Sequence, residues 1–125
     1  MEIAVEPKKK FLCICEGGNV RSVAMARTLK DNFKQNAVAM SWACNDNVIL
    51  EFAASWADYI LLMQPKFIER LSDKLKLENG HKIRIVDVGP DRFGTASHPE
   101  LYEFVSKVAQ GWSYQKWVIP KEQQP

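Results

Sequence analysis

Short apolar runs alternate with amphipathic stretches along most of this 125-residue chain. The run at 11–15 is continuously apolar, which is typical of a strand buried on both faces of a sheet. Further runs predict strands at 37–42, 59–63 and 82–86, and the last of these alternates in polarity, as expected of an edge strand. Such strand–helix alternation predicts an α/β fold with a parallel sheet and helices on both faces.

The stretches between these runs carry apolar residues at helical spacing. The spacing predicts a helix over about 22–35, a second capped by residues 45–47, and a third that has Pro65 in its first turn. A last helix follows 97–100, where the spacing is that of a capping box and His98 belongs to the cap. The buried stripe expected on the second helix consists of Val48, Ile49, Phe52, Ala53 and Trp56.

Composition and charge favour a soluble globular protein. We expect one domain over 1–125, with 1–8 as a loose lead-in and 120–125 as a frayed tail. The net charge of +2 is too small to indicate a nucleic-acid or membrane partner. No apolar run approaches the roughly 18 residues of a membrane helix, and the lysines at 8–10 follow the short apolar piece, unlike those of a secretory signal. A cytoplasmic location is therefore expected.

The cysteines Cys13, Cys15 and Cys44 do not suit a disulfide framework, because their number is odd. Their spacing also differs from that of zinc sites, so no metal site is expected. Cys13 and Cys15 point to opposite faces of one strand, which places Cys13 in the core. A redox role for Cys44 stays open, since its geometry relative to Cys15 is not visible in the sequence.

The loop from Cys15 to Ser22 runs directly from a buried strand into a helix. Peptide N–H groups at a helix start, together with the helix dipole, form a site for an anion. Gly17 and Gly18 allow successive N–H groups to converge on one tetrahedral anion, and Arg21 can bind two of its oxygens. Positive potential at this position favours the thiolate of Cys15. The loop therefore places a nucleophile beneath a bound phosphate.

The Cys-x5-Arg-Ser motif at 15–22 resembles the active-site loop of protein tyrosine phosphatases. Its place near the amino terminus, between a strand and a helix, is similar to that in the low-molecular-weight family. Residues 57–63 and 91–94 resemble the central strand and the acid loop of that family, and the match spans about 10–112. The resemblance implies a flavodoxin-like three-layer sandwich with a four-stranded parallel sheet.

The resemblance also implies a role for individual side chains. Cys15 matches the nucleophile that becomes phosphocysteine, and Arg21 matches the residue that binds the oxygens of the transferring group. Ser22 matches the hydroxyl that hydrogen-bonds the cysteine sulfur. Asp91 matches the general acid, although Asp87 directly follows a predicted strand and remains an alternative.

The resemblance further implies which residues bind phosphate and substrate. Phe93 falls where the family has an aromatic that stacks on the substrate ring, and Trp42 precedes a shortened substrate-shaping segment, so both are candidate substrate-binding residues. The loop itself departs from the family in two ways: Gly18 stands where Asn is usual and is followed by Asn19, and Glu16 adds a carboxylate beside a site for a dianion. The phosphate-binding residues implied are Glu16, Gly17, Gly18, Asn19, Val20, Arg21 and Ser22.

We therefore expect a metal-free and cofactor-free hydrolase of aryl phosphate monoesters. A phosphotyrosine protein is the expected substrate and partner, and inorganic phosphate or sulfate the expected ligand. One alternative is a non-catalytic module that binds phosphate or phosphopeptides through the same loop. Another is an arsenate reductase, although those enzymes carry a downstream cysteine pair and no cysteine follows Cys44 here. A phosphate carrier of sugar transport is disfavoured, because such loops lack the arginine.

Overall fold

A four-stranded parallel sheet forms the centre of the structure, a computed structural model that describes residues 9–16, 20–43, 46–86 and 93–113. The strands are β1 (Lys10–Cys15), β2 (Asn36–Ser41), β3 (Tyr59–Leu62) and β4 (Ile83–Ile85). Their order in the sheet is β2-β1-β3-β4, so β4 lies at an edge. The parallel α/β architecture and the edge position of the last strand are both as predicted.

Helices cover the two faces of this sheet. The α-helices are α1 (Arg21–Phe33), α2 (Asn47–Trp56), α3 (Asp73–Asn79) and α4 (Pro99–Ser113). The chain steps from β1 to β2 in one direction and from β2 to β3 in the other, so right-handed crossovers place α1 and α2 on opposite faces. Accordingly, α1 packs on α4, and α2 packs on α3. None of the helices in the described ranges has the length and apolarity required to cross a membrane.

The sheet brings the carboxyl ends of three strands to one edge of the molecule. Cys15 at the end of β1 pairs in register with Ser41 at the end of β2. On its other side, Ile14 pairs with Leu62 at the end of β3. In parallel sheets of this kind, ligands bind beyond the carboxyl ends of the strands, at the point where the strand order switches. Strand β1 lies at that point. The residues that follow these strands are therefore neighbours of Cys15.

The buried face of helix α2 differs from the predicted one. Only Leu50 and Ala54 are buried, whereas Val48 and Phe52 are 73% and 78% exposed. The predicted stripe is therefore wrong for Val48, Ile49, Phe52 and Trp56, all of which are exposed, and Ala53 is half-buried. The helix is apolar on nearly all sides, so its periodicity does not determine which side faces the sheet.

The single helix expected after Pro65 is two shorter elements in the structure. A 3-10 helix covers Pro65–Arg70, the chain becomes extended at Leu71, and α3 then begins after Ser72. The Ser72 hydroxyl accepts a hydrogen bond from the Leu75 N–H at 3.1 Å, which satisfies a donor at the start of α3. This side-chain cap competes with a continuous helix and explains the interruption.

Candidate active site

The Cys15 thiol and the Ser22 hydroxyl form the centre of the candidate site. Their Sγ and Oγ atoms are 3.1 Å apart, and both residues are buried. As a thiol, Cys15 donates to the Ser22 oxygen, and as a thiolate it would accept from the Ser22 hydroxyl. The contact that the family resemblance implies for this pair is thus present, and it can stabilise a negatively charged sulfur.

Helix α1 begins beside this sulfur and directs its amino terminus toward the loop that follows β1. Val20 occupies the cap position, and its side chain makes no capping hydrogen bond. The first turn of α1 also contains no acidic residue. The partial positive charge of the helix start is therefore directed at the candidate phosphate site rather than neutralised by a side chain of its own first turn.

The guanidinium of Arg21 is buried and held by residues that follow β3. Its Nη1 donates to Oε1 of Gln64 at 2.5 Å. Its Cζ lies 5.4 Å from the centroid of the Phe67 ring, a distance typical of a cation–π contact. The sequence reasoning did not identify Gln64 or Phe67. Their location after a strand that ends next to Cys15 was the signal that could have found them.

Trp42 lies directly beside the nucleophile strand. Its backbone N–H donates to the carbonyl oxygen of Cys15 at 3.2 Å. Its ring lies 6.0 Å from the Phe67 ring at an interplanar angle of 49°. The guanidinium of Arg70 also lies over the Trp42 ring, with its Cζ 5.1 Å from the ring centroid. Trp42 is thus placed next to the candidate site, and its contact with substrate remains a prediction.

Ser41 connects the end of β2 to the candidate phosphate loop. Its hydroxyl donates to the carbonyl oxygen of Glu16 and accepts from the Ala43 N–H at 2.9 Å. Ser41 is buried, whereas the side chain of Glu16 is exposed. The sequence reasoning missed this serine, which fixes the first residue of the loop after Cys15.

Phe93, the predicted stacking residue for substrate, is almost fully buried in the core. Its ring makes an edge contact with His98, with centroids 5.2 Å apart. The Nδ1 of His98 in turn accepts from the Glu100 N–H at 3.2 Å, so His98 caps α4 as expected. Contact of Phe93 with a substrate ring therefore remains a prediction.

Several predicted site residues lie outside the described residues, so their roles also stay predictions. The two candidate general acids, Asp91 and Asp87, are among them. The others are Gly17, Gly18, Asn19 and Cys44.

Cys13 is a buried core residue, as predicted, and it differs chemically from Cys15. Its side chain is inaccessible to solvent. Burial raises the pKa of the Cys13 thiol far above its ordinary value, and repulsion from Cys15 raises it further. Cys13 therefore stays a protonated thiol and is no second nucleophile.

The chain was compared with protein-family models, curated proteins and solved structures, and only solved structures match it. Wzb of Vibrio vulnificus in complex with benzylphosphonate has a TM-score of 0.66 and 18% identity, over 87% of this chain and 99% of that chain. The low molecular weight protein tyrosine phosphatase SP-PTP of Streptococcus pyogenes has a TM-score of 0.63 and 21% identity, over 91% and 95% of the two chains.

A third solved structure is the arginine phosphatase YwlE, as a Cys-to-Ser mutant with a phosphorylated active-site serine. It has a TM-score of 0.63 and 13% identity, over 86% of this chain and 98% of that chain. Together these similarities show that this chain has the fold of low molecular weight protein tyrosine phosphatases. The flavodoxin-like α/β sandwich predicted from the sequence is thereby confirmed.

Proposed function

We propose that this protein is a cysteine-dependent phosphatase that hydrolyses aryl phosphate monoesters, with protein phosphotyrosine as its substrate. The observation that carries the proposal is the pairing of Cys15 Sγ with Ser22 Oγ at 3.1 Å, at the start of α1 and next to the buried Arg21. The solved structures of the same fold support it, because one of them holds benzylphosphonate and another is named a tyrosine phosphatase.

In the first proposed step, the Cys15 thiolate attacks phosphorus and the bond from phosphorus to the phenol oxygen breaks. The departing oxygen takes a proton from Asp91, or from Asp87 in the alternative assignment. Negative charge on the phosphoryl oxygens is stabilised by the peptide N–H groups at the start of α1 and by Arg21. Gln64 and Phe67 act as positioning residues, because they hold the guanidinium.

In the second proposed step, water attacks the phosphocysteine, and the carboxylate of the same acid takes the proton from that water. The bond between sulfur and phosphorus breaks, which releases inorganic phosphate and returns the thiolate. The Ser22 hydroxyl donates to the departing sulfur and stabilises its charge. The phosphorylated active-site serine of the Cys-to-Ser YwlE mutant supports a covalent intermediate on Cys15.

The proposal is tested by turnover of para-nitrophenyl phosphate in the presence of a metal chelator. We expect the Cys15→Ser variant to lose at least about 10³-fold in kcat, because the hydroxyl is a much weaker nucleophile than the thiolate. Cys13→Ala is the matched control, since it removes a thiol from the same strand that lies outside the site. Activity of Cys15→Ser at the wild-type level would contradict the proposal. Phosphate binding without any turnover would indicate a phosphate-binding module instead.

We also propose a cytoplasmic location for this activity. The mechanism requires Cys15 as a free thiol, and reducing compartments keep such thiols unoxidised. Measurement of activity after oxidation by hydrogen peroxide and rescue by dithiothreitol tests this requirement.

A further inference from the structure

Four side chains form a continuous column from the candidate site to the protein surface. In order they are Arg21, Phe67, Trp42 and Arg70, so cations lie at both ends and two aromatic rings lie between them. The Arg21 end is buried, whereas the Arg70 end is exposed. We refer to these four side chains as the cation–aromatic column.

The two rings of the column come from segments on either side of the nucleophile strand. Trp42 follows β2 and Phe67 follows β3, and both strands flank β1 in the sheet. The Trp42 N–H also donates to the carbonyl oxygen of Cys15. The column therefore includes a residue whose backbone contacts Cys15, and its Arg70 end is exposed to solvent.

The guanidinium of Arg70 contacts the Trp42 ring, and none of the described residues accepts a hydrogen bond from it. Its guanidinium lies over the Trp42 ring with Cζ 5.1 Å from the centroid. It forms no hydrogen bond or ion pair with any residue in the described ranges, including its neighbour Glu69. A guanidinium held over a ring by a cation–π contact still has its N–H donors available, and these can bind a carboxylate in a two-pronged contact.

We propose that Arg70 is a specificity-determining residue that binds an acidic side chain next to the phosphotyrosine of a peptide substrate. The inference rests on the proposed function and extends it from the phosphorylated side chain to its neighbours in the peptide. Adjacent residues of an extended peptide are about 3.8 Å apart between Cα atoms, so the residues that flank a phosphotyrosine bound at Cys15 stay near the surface around the site. The guanidinium of Arg70 is the exposed cation at the surface end of the column.

The test compares three peptides that differ only at the residues flanking phosphotyrosine: glutamate, glutamine or lysine on both sides. For the wild-type protein, kcat/KM should be about fivefold higher with glutamate than with glutamine, because an exposed ion pair of good geometry contributes about 1 kcal/mol. Raising the salt concentration to 0.5 M should reduce this ratio, since the contact is exposed.

Variants of Arg70 test whether its positive charge causes the preference for the glutamate peptide. In Arg70→Gln the ratio between the glutamate and glutamine peptides should fall to about one, and in Arg70→Glu the lysine peptide should become the preferred substrate. A purely structural role for Arg70 would not reverse the preference. The matched control is Lys66→Gln, which removes an exposed cation from the same 3-10 helix and should keep the wild-type ratio.

The possible outcomes separate this inference from the function on which it rests. Turnover of para-nitrophenyl phosphate with equal rates for the three peptides would overturn the role of Arg70 and leave the phosphatase intact. The same holds if Arg70→Gln retains the preference, or if Lys66→Gln abolishes it to the same extent. Absence of para-nitrophenyl phosphate turnover would overturn the proposed function itself.

Discussion

The Sγ of Cys15 and the Oγ of Ser22 lie 3.1 Å apart, at the end of β1 and in the first turn of α1. In the proposed reaction this hydroxyl stabilises the sulfur when it leaves phosphorus. Ser22→Ala should therefore lower kcat by about 10- to 100-fold, the equivalent of a hydrogen bond to a charged group. Hydrolysis of the intermediate should slow most, so stopped-flow measurements should show a larger burst of phenol release than in the wild-type protein.

Thr28→Val provides the control for this prediction. Thr28 is another buried hydroxyl residue of α1, and its Oγ1 has no hydrogen-bond partner among the described residues. Its replacement should leave kcat within about twofold, since no hydrogen bond is lost. An equal loss of kcat in both variants would show that removal of any buried hydroxyl from α1 lowers activity. It would contradict a specific role for Ser22.

Gln64 offers a test of how Arg21 is held, because its Oε1 accepts from the Arg21 Nη1 at 2.5 Å. Gln64→Glu places a carboxylate against the guanidinium, where it competes with the phosphate dianion for the same charge. We expect the inhibition constant of inorganic phosphate to rise about tenfold, together with KM for para-nitrophenyl phosphate.

Gln35→Glu introduces the same charge at the amino-terminal edge of the sheet, where Gln35 accepts from the Lys9 N–H. The inhibition constant of phosphate should change less than twofold in this variant, because solvent and salt screen a charge at the opposite end of the sheet. Unchanged inhibition by phosphate in Gln64→Glu would contradict the contact between Gln64 and Arg21.

Phe67 supports both Arg21 and Trp42, and its comparison with Phe11 separates stability from positioning. Both rings are inaccessible to solvent, and Phe11 stacks on Tyr59 at 5.1 Å, away from the carboxyl end of β1. Phe67→Leu and Phe11→Leu should each lower the free energy of unfolding by about 1–2 kcal/mol, measured by urea titration. Only Phe67→Leu should also lower kcat/KM, by about tenfold, since the guanidinium loses its aromatic contact. Equal activity of the two folded variants would disprove a positioning role for Phe67.

The sequence predicted those parts of the site that are encoded by neighbouring residues. The buried strand β1 and the helix α1 follow from local patterns, and the family resemblance implies the pairing of Cys15 with Ser22. All three lie within one short segment, and the structure contains them. Contacts between distant segments were not predicted. The hydrogen bond from Arg21 to Gln64 joins residues 43 positions apart, and local periodicity carries no information about such a pair.

The wrong stripe on α2 has a different physical cause. Successive residues of a helix are rotated by about 100°, so Phe52 lies about 200° around the axis from Leu50. Both sides of α2 carry apolar residues, and only the packing against the sheet and α3 decides that Leu50 is buried and Phe52 exposed. The Ser72 cap, by contrast, is a local signal that can be recognised from the sequence. Serine is a preferred capping residue, and its hydroxyl accepts a hydrogen bond from a backbone N–H in the first turn of the new helix.

The buried thiol of Cys13 leads to a prediction for the pH dependence of stability. An unfolded cysteine releases its proton near pH 8.5, whereas burial raises the pKa of Cys13 in the folded protein. Above about pH 8.5 the unfolded chain therefore binds fewer protons than the folded protein, and rising pH favours unfolding. The stabilising contribution is fully present below this pH and is lost progressively above it.

Cys13→Ala removes this titration, so urea unfolding at pH 7, 9 and 10.5 provides the measurement. Between pH 9 and 10.5 the free energy of unfolding of the wild-type protein should fall more steeply than that of the variant, by up to about 1.4 kcal/mol per pH unit for one proton. The other titratable groups are common to both proteins and cancel in the difference. At pH 7 the variant should be less stable, because it leaves a small cavity in the core. Parallel curves for the two proteins above pH 9 would show that Cys13 ionises in the folded state as readily as in the unfolded chain.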